Sequence, residues 1–396
     1  MKQIAQLRAD TPGAENVKHF NNCGAALMPR QVLDAQVEHL KLESKIGAYE
    51  AALMAKGKRT SYVTASKLLG CEPDEIAFCD SASRAWDAFA YSLRFDKGDE
   101  ILTSRVEFGA NLVSLGHIAK RDGARIRITK SRADGTVDID DFRKQLSDKT
   151  KLVALTHAAA HYGGINPVEA VGEIVAGTGA MYLVDACQSF GQMPVDVSAI
   201  QCDALTITGR KWLRGPRGTG LLFVRSTTTQ DIDPVLSDVA TGDVELDEQG
   251  EIVDVKLRSD ARRFELWERS VAAEIGLGAA LQYLLDLGVE NVHAAVKERV
   301  GRIADKLSNL DGLKIIDPAS ESGVIGLRSA DGRPIPEIQQ ALRSRGINTS
   351  TMADYDAPLD FSYRGIETVL RISPHYYNTF DEVDDLCEAL IDVTRR

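Results

Sequence analysis

Residues 181–225 read MYLVDACQSFGQMPVDVSAIQCDALTITGRKWLRGPRGTGLLFVR, and this stretch decides the fold. Its first apolar run ends in Asp185, with Gln188 three residues on. A second run, ALTIT, ends in Gly209-Arg210-Lys211, and a Gly/Pro-rich turn then leads into the strand-like GLLFVR. Short apolar runs bounded by turn signals suit buried strands. Residues just past a strand's end are where α/β sheets place their sites. A carboxylate at one strand end and a lysine at another can therefore serve one aromatic ligand lying between them.

That pair has two readings. Pyridoxal phosphate (PLP) needs a lysine amine to tether its aldehyde carbon and an acidic partner at its pyridine nitrogen. The plainer reading is an exposed lysine in a turn and a carboxylate capping a helix, and short motif matches often mean no more than that. Spacing alone leaves both open.

Working outward, the pattern alternates on both sides. EIAFC (75–79) precedes SASRAWDAFAYSL, a helix that Ser81 or Ser83 is placed to cap. DEILTS precedes VEFGANLVSLGHIAKRDG; ARIRIT follows; KLVALT precedes a helix initiated at Pro167. Strands alternating with helices imply an α/β fold with a mostly parallel sheet covered on both faces. Upstream, residues 1–30 read as an arm, polar and then turn-rich in HFNNCGAALMP, or else as a frayed terminus. Residues 31–283 are expected to form the large domain. Residues 284–396 are expected to form a smaller α/β domain, with strands near KIID and GVIGLR and a last helix at FDEVDDLCEALIDV.

Bulk properties narrow the function. A chain of 396 residues with 44% hydrophobic content can bury a large core. The net charge of −11, with no long basic stretch, argues against nucleic acid as a partner. No run of 18 or more apolar residues argues for a membrane span, and the N-terminus lacks the apolar core of a secretory signal. Six scattered cysteines without a Cys-x-x-Cys or clustered histidines suggest reduced thiols in a cytoplasmic protein and no metal site.

Three segments together, 181–225, DARRFELWERSVAAEIGLGAAL at 260–281 and VLRISPHYYNT at 369–379, resemble the class V aminotransferase family of fold-type I PLP enzymes, which includes cysteine desulfurases and selenocysteine lyases. The likeness runs through nearly the whole chain in the family's order. It implies a homodimer acting on a small amino acid. By this register Lys211 carries the cofactor, Asp185 faces its pyridine nitrogen and Gln188 its phenolic oxygen. Ser81, Ala82, Ser83, Thr208 and Arg210 surround its phosphate. A helix N-terminus suits such a dianion, although a plain N-cap explains the same serines. Arg371 matches the arginine that grips the substrate's α-carboxylate, where a planar fork makes two parallel hydrogen bonds. Ala25 and Ala26 of the arm face the substrate.

The chain also departs from the family. Where desulfurases stack a histidine on the cofactor, it has Phe108, which is either a stacking face or a core aromatic. Where they place an asparagine it has Ala160, with His161 adjacent as a replacement polar group or a structural residue. Where they carry a Gly-Thr-Pro loop it has Leu266-Trp267-Glu268-Arg269, with Trp267 a candidate for shaping a larger substrate pocket. Between Cys202 and Cys387 it has no cysteine, so the loop nucleophile of desulfurases is missing. ACQS, TGRKWLRGPRGTG, RRFELWER and SPHYYNT are similar to proteins labelled hercynylcysteine sulfoxide lyases. The expectation is thus a lyase that breaks a Cβ–S bond of a cysteine-derived thioether or sulfoxide. Transamination or epimerisation would use the same lysine, aspartate and arginine, and a non-enzymatic sensor or scaffold is a further alternative.

Overall fold

The computed structural model describes residues 3–55, 57–317 and 321–395, except for the side chains of 57–59. Seven strands build the larger sheet: β1 (Ile76–Cys79), β2 (Glu100–Thr103), β3 (Arg125–Ile128), β4 (Thr150–Thr156), β5 (Met181–Asp185), β6 (Ala204–Thr208) and β7 (Gly220–Val224). Their order is β1-β7-β6-β5-β4-β2-β3. β7 runs antiparallel to both neighbours, and every other adjacent pair is parallel. The exception has a local cause: β6 and β7 are joined by the turn-rich 209–219 with no crossover helix, and a parallel return needs one.

β6 and β7 are buried at every position, which is why they read as unbroken apolar runs. Successive side chains pass to opposite faces. Leu155, Val184, Leu205, Ile207 and Phe223 enter one core, whereas Ala154, Leu183, Ala204, Leu222 and Val224 enter a second on the other side. Helices Ala82–Ala90 and Gly109–Asp122 supply Trp86, Phe89, Leu115 and Ile118 to that second core. Helix Val168–Val175 supplies Val168, Val171 and Val175 to the first.

Helix Val289–Leu307 leads to a second sheet of β8 (Leu313–Ile315), β9 (Ile325–Ser329), β10 (Ser350–Ala353) and β11 (Thr368–Ile372), ordered β8-β9-β11-β10 and antiparallel throughout. The arm is tied to this side of the molecule. Lys18–His19 pair in parallel with Ile347–Asn348, and Asn21 bridges to Ser373 just past β11. Among the described residues no single helix is long and apolar enough to cross a membrane.

Candidate active site

Strand register collects the candidate residues. Thr156 at the end of β4 lies opposite Asp185 at the end of β5, and Asp185 lies opposite Thr206 of β6. Thr208, at the end of β6, faces Gly220 of β7. Just beyond these ends is a cleft lined by Ser81, Ala82, Ser83, Phe108, Asn111, Thr156, Ala158, Ala160, Asp185, Cys187, Gln188, Thr208, Arg210 and Lys211. Ten sequence candidates therefore meet in one place: Lys211, Asp185, Gln188, Ser81, Ala82, Ser83, Thr208, Arg210 and Phe108, with Arg371 at the edge through its hydrogen bond to the Ala160 carbonyl.

Asp185 is fixed before any ligand arrives. Its Oδ1 accepts from the Cys187 N–H at 2.8 Å and its Oδ2 from the Asn111 Nδ2 at 2.9 Å. The other Asn111 bond goes to the Glu107 carboxylate at 2.8 Å. Glu107, fully buried, also accepts from the Thr156 N–H and hydroxyl, at 2.9 and 2.6 Å. Burial, with the Asp185 charge adding to it, pushes the Glu107 carboxyl up to about 7. Lys211 is half-buried, and burial lowers its amine below the usual lysine range, helped by the nearby Arg210 and Arg371 charges. Its Nζ lies 6.0 Å from the centroid of the Phe108 ring.

The serine turn sits against the sheet because β7 begins with glycine. A Cβ at Gly220 would come within 2.7 Å of the Ser81 carbonyl carbon and 2.8 Å of the Ala82 nitrogen. Ser81 caps the helix that follows, its Oγ accepting from the Arg84 N–H at 3.2 Å. Gln188 is braced on both sides, accepting from the Trp212 Nε1 at 2.9 Å and donating to the Cys23 carbonyl at 3.1 Å. Arg371 keeps a buried Nε without a hydrogen-bond partner.

Four candidates stand apart from the cleft lining. His161 is fully buried, its Nε2 2.7 Å from Asp360, which also takes the Arg364 Nε at 2.7 Å. Its ring packs against Tyr162 and Phe361, so it braces the segment before β11 instead of facing the cleft, which corrects the expectation of a cofactor contact. Ala25 and Ala26 lie on the arm, the Ala25 carbonyl 2.8 Å from the His19 Nε2 and the Ala26 N–H donating to the Arg210 carbonyl at 2.9 Å. Trp267 is 57% exposed and lines a different groove, with Leu40, Tyr49, Leu53 and Val239, so within one subunit it shapes no part of the cleft. Arg269 beside it is paired with Glu265 and Glu274.

Sequence reading passed over Glu107 and Asn111, which flank Phe108. Their signal was available: a carboxylate and an amide four residues apart at a helix start face the same side. It becomes legible only once β5 brings Asp185 against them.

The residues present fit PLP. They offer an amine for its aldehyde, a braced carboxylate for its pyridine nitrogen, and an aromatic ring to cover it. A capped helix N-terminus with Thr208 and Arg210 can receive its phosphate.

The family profile Aminotransferase class-V matches residues 19–386. A probable cysteine desulfurase of Pyrococcus abyssi is 28% identical, covering 100% of this chain and 98% of that protein. One of Halalkalibacterium halodurans is 30% identical, covering 80% and 77%. Among solved structures, the apo cysteine desulfurase of Thermococcus onnurineus NA1 superposes with a TM-score of 0.90 at 26% identity, covering 100% of this chain and 99% of that one. The cystine C–S lyase C-DES, solved with cysteine persulfide, superposes at 0.84 and 23% identity over 96% and 99%, a likeness of fold. The chain belongs to the class V aminotransferase family, with the PLP fold type I.

Proposed function

We propose that this protein is a PLP-dependent carbon–sulfur lyase that cleaves the Cβ–S bond of a cysteine-derived thioether or sulfoxide, yielding pyruvate, ammonia and a sulfur-containing product. Curated relatives named as cysteine desulfurases support C–S chemistry in general. The observation that carries the finer reading is where the cysteines are. The segment of residues 350–364 packs against the cleft-side helix Gly109–Asp122 so closely that a Cβ at Gly109 would come within 2.3 Å of the Tyr355 carbonyl oxygen, and it contains no cysteine. Cys187 is the one thiol in the cleft lining; burial, reinforced by Asp185, pushes it well above the usual thiol range and keeps it protonated. Burial likewise raises Cys71 and Cys79 to about 12 and Cys387 to about 11. A persulfide-forming nucleophile needs the opposite environment.

When bound, PLP supplies an electron sink that permits loss of the substrate's Cα proton and then of its Cβ substituent. The chain's own groups do the rest. Lys211 tethers the cofactor and, once displaced by the substrate amine, takes the Cα proton, and its lowered basicity lets it start in the neutral form that this needs. Asp185, held by Cys187 and Asn111, keeps a negative charge at the pyridine nitrogen. Gln188 faces the phenolic oxygen; Ser81, Ala82, Ser83, Thr208 and Arg210 hold the phosphate; Phe108 covers the ring. Arg371 grips the α-carboxylate, its unpartnered Nε supplying one donor. Sulfur departs with the bonding pair, still attached to the remainder of the substrate, and takes up a proton; water then hydrolyses the remaining three-carbon enamine to pyruvate and ammonia.

The enzyme is read as a homodimer. Leu33, Val37, Leu40, Tyr49, Leu53 and Met54 are exposed on helices Arg30–Ile46 and Ala48–Met54. The hairpin of Gly242–Leu246 and Ile252–Leu257 is exposed along nearly its whole length, and a two-stranded ribbon needs cover to be stable. In such a dimer Trp267 belongs to the partner's site.

The test incubates purified protein with S-alkylcysteines, their sulfoxides and free cysteine. Pyruvate from the conjugates, with little alanine from cysteine, is expected. Alanine plus a protein persulfide, both abolished by mutating one cysteine, would restore a desulfurase. A pyridoxamine form or an inverted substrate would indicate a transaminase or an epimerase.

A further inference from the structure

Three residues beyond Lys211 the chain does something unusual. Arg214 has φ +63°, in the left-handed region that favours glycine, and its long side chain is only 1% exposed. Its backbone N–H donates to the Lys211 carbonyl at 2.9 Å, closing the turn that carries the lysine. Its guanidinium then reaches three acceptors in two distant parts of the chain. Nε donates to the Leu27 carbonyl at 2.7 Å and Nη2 to the Thr11 hydroxyl at 2.7 Å, both in the arm. Nη1 donates to the Tyr376 hydroxyl at 2.5 Å, just past β11. The cation lies over the rings of Tyr377 and Tyr376, 4.5 and 5.1 Å from their centroids, and no ion pair with a carboxylate holds it among the described residues. A buried charge needs such partners to be tolerated at all.

A second tie grips the same turn. The His375 Nδ1 accepts the Tyr376 N–H at 3.0 Å, so its Nε2 carries the proton and donates to the Trp212 carbonyl at 3.1 Å. Burial keeps that imidazole neutral. On the far side, Gly191 is pressed against the turn, where a Cβ would come within 2.6 Å of the Leu213 nitrogen.

We propose that Arg214 is a positioning residue for Lys211, and that through it the placement of the lysine depends on the arm being docked. The arm and the segment after β11 are hydrogen-bonded to the lysine turn through this guanidinium and His375, together with the Arg210 contacts to Gly24 and Ala26. Arginine is required because one planar fork serves three acceptors; an ammonium cannot match its geometry. The proposal rests on the assignment of Lys211 as the cofactor lysine.

Thr11→Val, an isosteric change more than 200 residues away in sequence, removes one acceptor and leaves the turn itself untouched. Arg214→Lys removes the fork. For both, the holoenzyme's kcat and KM on an S-alkylcysteine are measured with hydrogen–deuterium exchange of the 212–215 amides, and borohydride labelling locates the cofactor. Expected are kcat losses of roughly tenfold for Thr11→Val and up to ~10² for Arg214→Lys, KM nearly unchanged, and faster exchange at 212–215 while β5 and β6 stay protected. A lowered melting temperature in Thr11→Val with unchanged kcat and 212–215 exchange overturns the proposal and leaves Arg214 a structural residue. A label on another lysine overturns the Lys211 assignment beneath it.

Discussion

The two walls of the cleft are built differently. The wall at the ends of β4, β5 and β6 is a continuous polar network, Thr156–Glu107–Asn111–Asp185, assembled from rigid strand ends and one helix start. The opposite wall, from Ala160 to Arg371, is braced from behind by the buried His161–Asp360–Arg364 cluster, with Met352, Ala357 and Phe361 in one apolar cluster with Ala160, and it offers the cleft a small side chain beside a guanidinium. The first wall suits a fixed cofactor, whose electronic demands do not vary. The second suits a variable substrate. The chain departs from the family beside both walls, at Phe108 on the first and at Ala160 on the second, while Lys211, Asp185 and Arg371 keep its residue types.

Breaking the first wall is expected to cost most. Lys211→Ala should lower pyruvate release roughly 10⁴-fold, the upper end for a positioned proton-transfer group, and borohydride should fix PLP to Lys211 in the parent only; labelling elsewhere would displace it from its role. Asp185→Asn should still bind PLP, visible by absorbance, yet lose about two to three powers of ten in kcat. Near-native turnover would mean that Asp185 has another job.

Glu107 tests the network behind that wall through pH. Its carboxyl is raised from 4.5 to about 7 on folding, so the folded state holds the proton longer. Stability it contributes is present below about pH 4.5 and lost as pH rises through about 7, by at most ~3 kcal/mol. Glu107→Gln should flatten this fall, so melting temperatures of parent and variant should diverge between pH 5 and 8. Parallel curves would show that Glu107 does not titrate there.

The second wall should respond more mildly. Arg371→Lys keeps the charge and loses the two-point grip, raising KM about tenfold for every amino-acid substrate; an effect confined to one substrate would move Arg371 from the carboxylate to a side-chain contact. The smallest effect belongs to the thiols. Replacing all six cysteines with serine or alanine should leave kcat within about threefold, because no thiol takes part in the chemical step, while stability falls where Cys23, Cys202 and Cys387 are buried. Loss of turnover on cysteine conjugates in the cysteine-free protein would contradict the comparison of the two walls.

How far the site was legible follows from how local each signal is. Asp185, Thr208 and Lys211 each close or follow an apolar run, so strand periodicity places them at strand ends, and the family resemblance then gives them their roles. His161 stayed open between a polar role at the cofactor and a structural one because a histidine beside Ala160 looks equivalent in either place; only the approach of Asp360, 199 residues on, draws its ring to the structural side. Trp267 was assigned to a substrate pocket by its place in a motif; within one subunit it overlooks a different groove, and which site it serves depends on the dimer.

The sequence by itself determined the sheet, because β6 and β7 must bury both faces and only apolar runs can do so. It also determined the lysine–carboxylate pair at the strand ends and the missing cysteine. Tertiary structure decided which polar groups meet. The coupling of Asp185 to Glu107 through Asn111, and of the lysine turn to Thr11 through Arg214, joins residues 74 and 203 positions apart. Hydrogen bonds reach about 3 Å whatever the separation along the chain, so such partners leave no periodic trace in sequence and appear only when the strands and the arm are in place.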